Sequence, residues 1–148
     1  MRKSITIDQW TGDLQPIVSF CKAIGYASAD PVNGSDIILV ARENGNILGV
    51  ARISRGPKYW IVHGIQMSKK NKDLGFAEDL RDAIGTRLSS KCYMIMQKEF
   101  SDFYAPIMFR EIRLSRAPPH LAERVRAYRR KHSGKKNFVV MRRPHCYC

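Results

Sequence analysis

Three places in this chain hold residue types that could do chemistry. Tyr104 sits in Phe103-Tyr104-Ala105-Pro106-Ile107-Met108-Phe109. A phenol with an ordinary pKa of about 10 is protonated at neutral pH and can hand that proton to a leaving group. The same ring would serve equally as an amphipathic residue at a helix start, its body buried and its tip wet. His63 lies in the strand-like run Tyr59-Trp60-Ile61-Val62-His63-Gly64-Ile65-Gln66-Met67. Its imidazole, with an ordinary pKa near 6.5, could accept a proton directly or through water, or could simply be hydrogen-bonded in place. The third place is Lys69-Lys70-Asn71-Lys72-Asp73-Leu74-Gly75-Phe76-Ala77. A glycine opening a helix there would let unpaired N–H groups and a partial positive charge meet a phosphate, with the lysines adding charge, or it is an ordinary connection with solvated lysines.

These residues need elements to hold them, and the pattern supplies a mixed set. Residues 3 to 7 alternate polar and apolar, as a half-buried strand does. Leu14, Ile17, Val18, Cys21 and Ile24 recur at helical spacing, with Gly25 as terminator. The runs 37 to 42 and 47 to 54 flank Asn44-Gly45, a hairpin turn whose residues tolerate positive φ. A strand over 59 to 67 leads through a basic loop to a helix with Phe76, Leu80, Ala83, Ile84 and Leu88 on one face. The remaining expectations are a strand over 92 to 96, a helix over 102 to 108 capped by Asp102, and a strand over 110 to 114. A helix over 120 to 132, opened by Pro118-Pro119 and closed by Ser133-Gly134, and a strand over 137 to 141 complete the series. Strands interspersed with helices make an α/β (α+β) domain with at least one crossover.

The two segments quoted around Gly75 and Tyr104 resemble those of the GNAT-type N-acetyltransferases. Lys72-Asp73-Leu74-Gly75-Phe76-Ala77 is similar to the family's Arg/Gln-x-x-Gly-x-Gly/Ala loop, with lysine in place of the commoner arginine or glutamine. Phe103 to Phe109 is similar to the family's Phe-Tyr-x-x-x-Gly-Phe, with Met108 where the glycine stands. The resemblance implies a GNAT-like, mostly antiparallel central sheet flanked by helices, acetyl-CoA as the bound acyl carrier, and acyl transfer to an amine. It further implies that Lys70, Lys72, Leu74, Gly75, Phe76 and Ala77 surround the coenzyme's phosphates. Ile65 and Met67 would hydrogen-bond its pantetheine arm, and Tyr104 would protonate the departing thiolate. His63 is the accompanying choice of base, placed by strand alternation on one face with Ile65 and Met67.

Charge adds a second theme. The 148 residues hold 26 Lys and Arg against 13 Asp and Glu, a formal charge of +13. Such an excess attracts polyanions. Arg124, Arg126, Arg129, Arg130 and Lys131 crowd one predicted helix, interrupted by one acid, Glu123, and mark a polyanion-binding surface. A nucleic acid or an acidic carrier protein would suit it, and a second copy of the chain is a further partner the sequence allows. A non-catalytic, basic nucleic-acid-binding module is the rival reading.

The apolar runs are too short to span a bilayer, and the N-terminal MRKSITIDQW has no continuous apolar stretch behind its basic residues. A cytoplasmic setting and reduced thiols are therefore expected. His145, Cys146 and Cys148 are too cramped for zinc without a second ligand pair, so no metal is expected. The organisation expected is one domain over 1–143 with 144–148 as a flexible tail.

Overall fold

A computed structural model describes residues 4–25, 32–132 and 136–144. Seven strands are hydrogen-bonded in the order β1-β2-β3-β4-β5-β7-β6. They are β1 (Ile5–Gln9), β2 (Ile37–Glu43), β3 (Asn46–Arg55), β4 (Trp60–Met67), β5 (Cys92–Gln97), β6 (Arg110–Ile112) and β7 (Phe138–Arg143). The helices are α1 (Gln15–Ala23), α2 (Phe76–Arg87) and α3 (Pro119–Lys131). The result is the mixed, mostly antiparallel α/β sheet with flanking helices that the sequence implies. The chain divides into two compact units, Met1–Arg55 with Val62–Arg87, and Gly56–Ile61 with Leu88–Cys148.

The first unit is organised by its hairpin. Asn44 (φ 51°) and Gly45 (φ 83°) both take left-handed conformations, the twist a two-residue turn between strands requires. Antiparallel β2 and β3 pair from Ile37↔Ile53 to Glu43↔Asn46, with a bulge that shifts the register between Ala41 and Arg42, and β1 adds antiparallel to β2. The strand expected over 3 to 7 is observed two residues later. α1 ends where Gly25 turns left-handed, as expected, but it is shorter at both ends than the apolar repeat suggests. Ile17, Cys21, Ile38, Val40 and Val50 form the core beneath it. A buried ion pair enters this unit: Arg52, whose side chain is 5% exposed, pairs with Asp36, at 1%, at 3.2 Å. The pairing offsets part of the cost each charge would carry alone away from water, while Asp36 Oδ1 is left buried without a hydrogen-bond partner among the described residues.

The second unit pairs Trp60 and Ile61 of β4 in parallel with Cys92 and Tyr93, then β5 with β7 and β7 with β6, both antiparallel. Helix α3 lays Leu121 and Val125, both fully buried, against Tyr93 and Val140. Two elements differ from expectation. The helix placed over 102 to 108 is a 3₁₀ helix, Lys98–Ile107, with Gln97 at its N-cap, so Asp102 lies inside it and caps nothing. Pro106 falls one residue from its end, where only one i→i+3 bond is forfeited. After three residues of β6 the chain forms a 3₁₀ turn, Leu114–Arg116, instead of continuing as a strand. The closing residues Ser133-Gly134 and the tail from His145, with its cysteines, lie outside the described residues.

Candidate functional site

In the first unit, β4 ends at Met67 and the expected basic loop proves to be a 3₁₀ helix, Lys69–Leu74. Gly75 then turns left-handed (φ 79°, ψ 2°), and α2 begins at once with Phe76. A conformation of this kind suits glycine and strains other residues. Phe76 and Ala77 are buried, while Glu78 and Asp79 are exposed in the first turn, where they complement the helix dipole. Lys69 and Lys70 are exposed at the opposite end of the junction. Lys72 and Leu74 belong to the 3₁₀ helix, and their side chains lie outside the described residues.

Ser68 was not singled out by sequence. Its Oγ is buried and has no hydrogen-bond partner among the described residues. Asp8 Oδ1 and Asp36 Oδ1 are buried in the same state elsewhere in this unit, and the Ser68 hydroxyl differs from them in lying beside the Gly75 junction.

His63 is half-buried, and its Nε2 lies 2.8 Å from Ser54 Oγ on the neighbouring stretch of β3. Gln66 donates from Nε2 to the His63 carbonyl at 3.3 Å. Between His63 and Ile65, Gly64 takes φ 84°. A left-handed residue inside a strand breaks the pleat, so simple alternation does not carry the face of His63 on to Ile65 and Met67. All three remain half-buried on β4. A lone glycine in a strand pattern was the available signal for this break.

In the second unit, Tyr104 is 8% exposed and meets Phe103 edge to face, ring centroids 5.0 Å apart. The helix that carries it ends in a tight C-cap. Met108 N donates to the Ala105 carbonyl at 2.9 Å and Phe109 N to the Tyr104 carbonyl at 3.4 Å. Met108 occupies this cap with φ 76°, the region a glycine would take without strain. Arg143 ties the end down, donating from Nε to the Ile107 carbonyl at 3.0 Å.

The basic helix is only partly a free surface. Arg126, Arg130 and Lys131 are exposed, and Arg126 and Arg130 each reach Glu123 at 3.5 Å. Arg129 instead turns inward and holds the Phe138 carbonyl from Nε and Nη2, at 3.0 and 2.7 Å. Arg124 is half-buried with partners of its own. Among the described residues no group of three or more His, Cys, Asp or Glu side chains is arranged to hold a metal ion. No helix among them is long and apolar enough to cross a membrane.

No protein-family model and no curated protein sequence matches the chain. Solved structures match it in fold. Ribosomal-protein-S18-alanine N-acetyltransferase from Escherichia coli aligns with a TM-score of 0.62 over 97% of this chain and 96% of its own, at 14% identity. A GNAT family acetyltransferase from Elizabethkingia anophelis, with acetyl-CoA bound, gives 0.62 over 96% and 99%, also at 14% identity. N-acetylglutamate synthase from Neisseria gonorrhoeae, complexed with coenzyme A and N-acetyl-glutamate, gives 0.63 at 14% identity. There the match takes in 97% of this chain but 35% of the synthase, so the chain spans about a third of that protein's length. The fold is that of the GNAT acetyltransferases.

Proposed function

We propose that this chain, built on the GNAT fold, is an acyl-CoA-dependent N-acyltransferase that moves an acetyl group to an amine. The observation that carries the reading is the junction at Gly75, where left-handed backbone opens α2 directly behind a 3₁₀ helix bearing exposed lysines. The unpartnered Ser68 hydroxyl fits the same assignment, since a phosphate or amide of the coenzyme would satisfy it. Gly75, Phe76 and Ala77 would offer backbone N–H groups to the phosphates, with Lys70, Lys72 and Leu74 around them, while Ile65 and Met67 offer backbone groups to the pantetheine arm. The coenzyme supplies a thioester activated toward amines.

The chain's own groups would handle the protons. Tyr104, a phenol and so an ordinary proton donor at neutral pH, is the proposed acid. His63, oriented by Ser54, is the proposed base, holding the proton that an attacking ammonium must lose. Proteins of this fold named for a ribosomal-protein alanine and for N-acetylglutamate make an amine the natural acceptor class. The free, buried thiols of Cys21 and Cys92 are in keeping with a cytoplasmic setting. The exposed cations of α3 are proposed as a docking surface for a polyanionic substrate or partner.

Calorimetry with acetyl-CoA tests the reading, comparing the wild type with Gly75→Trp. Micromolar binding by the wild type that is lost in the variant supports it. A folded wild type that binds no acetyl-CoA sinks it and leaves the non-catalytic, nucleic-acid-binding reading in its place.

A further inference from the structure

Charge is divided unevenly between the two units. Gly56–Ile61 with Leu88–Cys148 holds fifteen of the 26 lysines and arginines but four of the 13 acids, a formal +11. The other unit, with eleven against nine, carries +2. The excess is presented by a connected run of elements. Leu114 and Ala117 pack against the same cluster as Leu121 and Val125, which fixes β6, the following turn and α3 on one support. From that support Arg110, Arg113, Arg116, Arg126, Arg130 and Lys131 are exposed.

Little inside the unit neutralises them. Glu123 is shared by Arg126 and Arg130, and Glu111 is taken by Lys98 at 3.6 Å. Among the described residues no acid lies within ion-pair reach of Arg110, Arg113, Arg116 or Arg142.

One placement is more telling than the count. Arg110 and Arg142 are direct partners across the antiparallel β6–β7 ladder. Their side chains leave the same face with Cβ atoms about 5 Å apart, and like charges so placed repel. An anion between them would turn that repulsion into attraction. Arg142 is also the ladder partner of Tyr93, which meets Tyr59 edge to face at 5.2 Å. Tyr59 in turn stacks on the exposed His120, ring centroids 5.8 Å apart. Beyond His120, α3 carries the cations on for roughly 17 Å to Lys131, at 1.5 Å per residue.

We propose that this face of the second unit binds the phosphate backbone of a nucleic acid, with Arg110 and Arg142 as its fixed anchor. The inference rests on the polyanion part of the function proposed above and is independent of acyl transfer. A nucleic acid fits better than an acidic protein for two reasons. The cations without an acid partner at the anchor end are arginines, whose planar guanidinium groups take phosphate oxygens two at a time and also stack on flat bases, a contact that carboxylates do not offer. The track is extended and begins at the exposed ring of His120, backed by half-buried Tyr59, which suits a polymer that repeats charge along its length and carries flat bases to stack.

The test is fluorescence anisotropy with a labelled single-stranded RNA of about 20 nucleotides, long enough to cover the track at 3.4 Å per phosphate. The proteins compared are the wild type, Arg110→Gln/Arg142→Gln, Arg126→Gln/Arg130→Gln, and Lys22→Gln/Arg87→Gln in the other unit as a control. The expected result is binding whose logarithm falls with log salt at a slope of about −3, as contact with four or five phosphates requires. The first variant should lose about tenfold in affinity at 100 mM salt and flatten the slope by about 1.4, two phosphate contacts' worth. Its urea midpoint should not fall, because a repulsion has been removed. The control should bind as the wild type does.

Heparin binding without RNA binding, or displacement of RNA by polyglutamate at equal charge, would overturn the nucleic-acid assignment and leave a polyanion surface. Binding of neither RNA nor heparin would overturn both. RNA binding unaffected by Arg110→Gln/Arg142→Gln would overturn the anchor.

Discussion

Phe76 fills the space that Gly49 leaves empty: a Cβ on Gly49 would come within 2.5 Å of Phe76 Cε1. Both residues are buried in the same unit, Gly49 on β3 and Phe76 as the first residue of α2. The missing side chain therefore lets the start of α2 sit as close to β3 as it does, and with it the left-handed Gly75. Phe76 is 1% exposed, so its ring has nowhere to go.

Gly49→Ala is accordingly expected to lower stability by about 1–3 kcal/mol through overpacking, read as a fall in the urea midpoint. It should also weaken acetyl-CoA binding, because the helix start that frames Gly75 must move. Adding Phe76→Leu should recover part of the stability. A Gly49→Ala protein with an unchanged midpoint would show that the ring is free to shift.

Met108 gives the opposite expectation. It holds φ 76° at an exposed cap and is 54% exposed, so its side chain buries little in return. A left-handed conformation costs an L-residue about 1–2 kcal/mol, less the entropy a glycine gives up on folding. Met108→Gly should therefore raise stability by about 1 kcal/mol, and Met108→Val, which is β-branched, should lower it. Urea melts of the three proteins decide the order.

Burial pushes the Cys92 thiol from 9.0 up to about 11, against the opposing charge of Arg143. The folded chain thus keeps this proton after the unfolded chain has lost its own. Stability from this group is whole below pH 9 and drains away as pH rises toward 11. Between those values the wild type should lose stability more steeply than Cys92→Ala. Parallel curves would mean that the thiol ionises normally.

Tyr104→Phe removes the proposed acid and keeps the ring that packs on Phe103. Steady-state kinetics should show kcat down by about 10²-fold or more with KM little changed, the signature of a lost proton donor. Undiminished turnover would assign the proton to another group, and RNA binding should be the same in both proteins.

Much of this architecture could be read in advance because local chemistry decided it. Asn44-Gly45 announces its hairpin through backbone sterics alone, and the apolar stripe of α2 announces its buried face. A helix start near Asp102 follows from Pro106, which an α-helix tolerates only in its first turn. The structure instead absorbs it near the end of a 3₁₀ helix. The sequence puts Arg129 with the polyanion-binding cations of this helix, yet it lies one turn beyond Val125 on the inward side and serves the Phe138 carbonyl. Arg110 and Arg142, 32 positions apart, become neighbours only through strand register, which no local pattern encodes.

β6 stands last in the strand order and is three residues long, with Arg110 and Glu111 both exposed. Among the described residues nothing pairs with its outer side. An open edge is a template on which a second chain can grow, and short length with charge is what discourages it. The same arginine that draws anions thus guards the sheet against self-assembly. A chain carrying valine and threonine at 110 and 111 would be expected to precipitate at concentrations where the native chain stays dispersed.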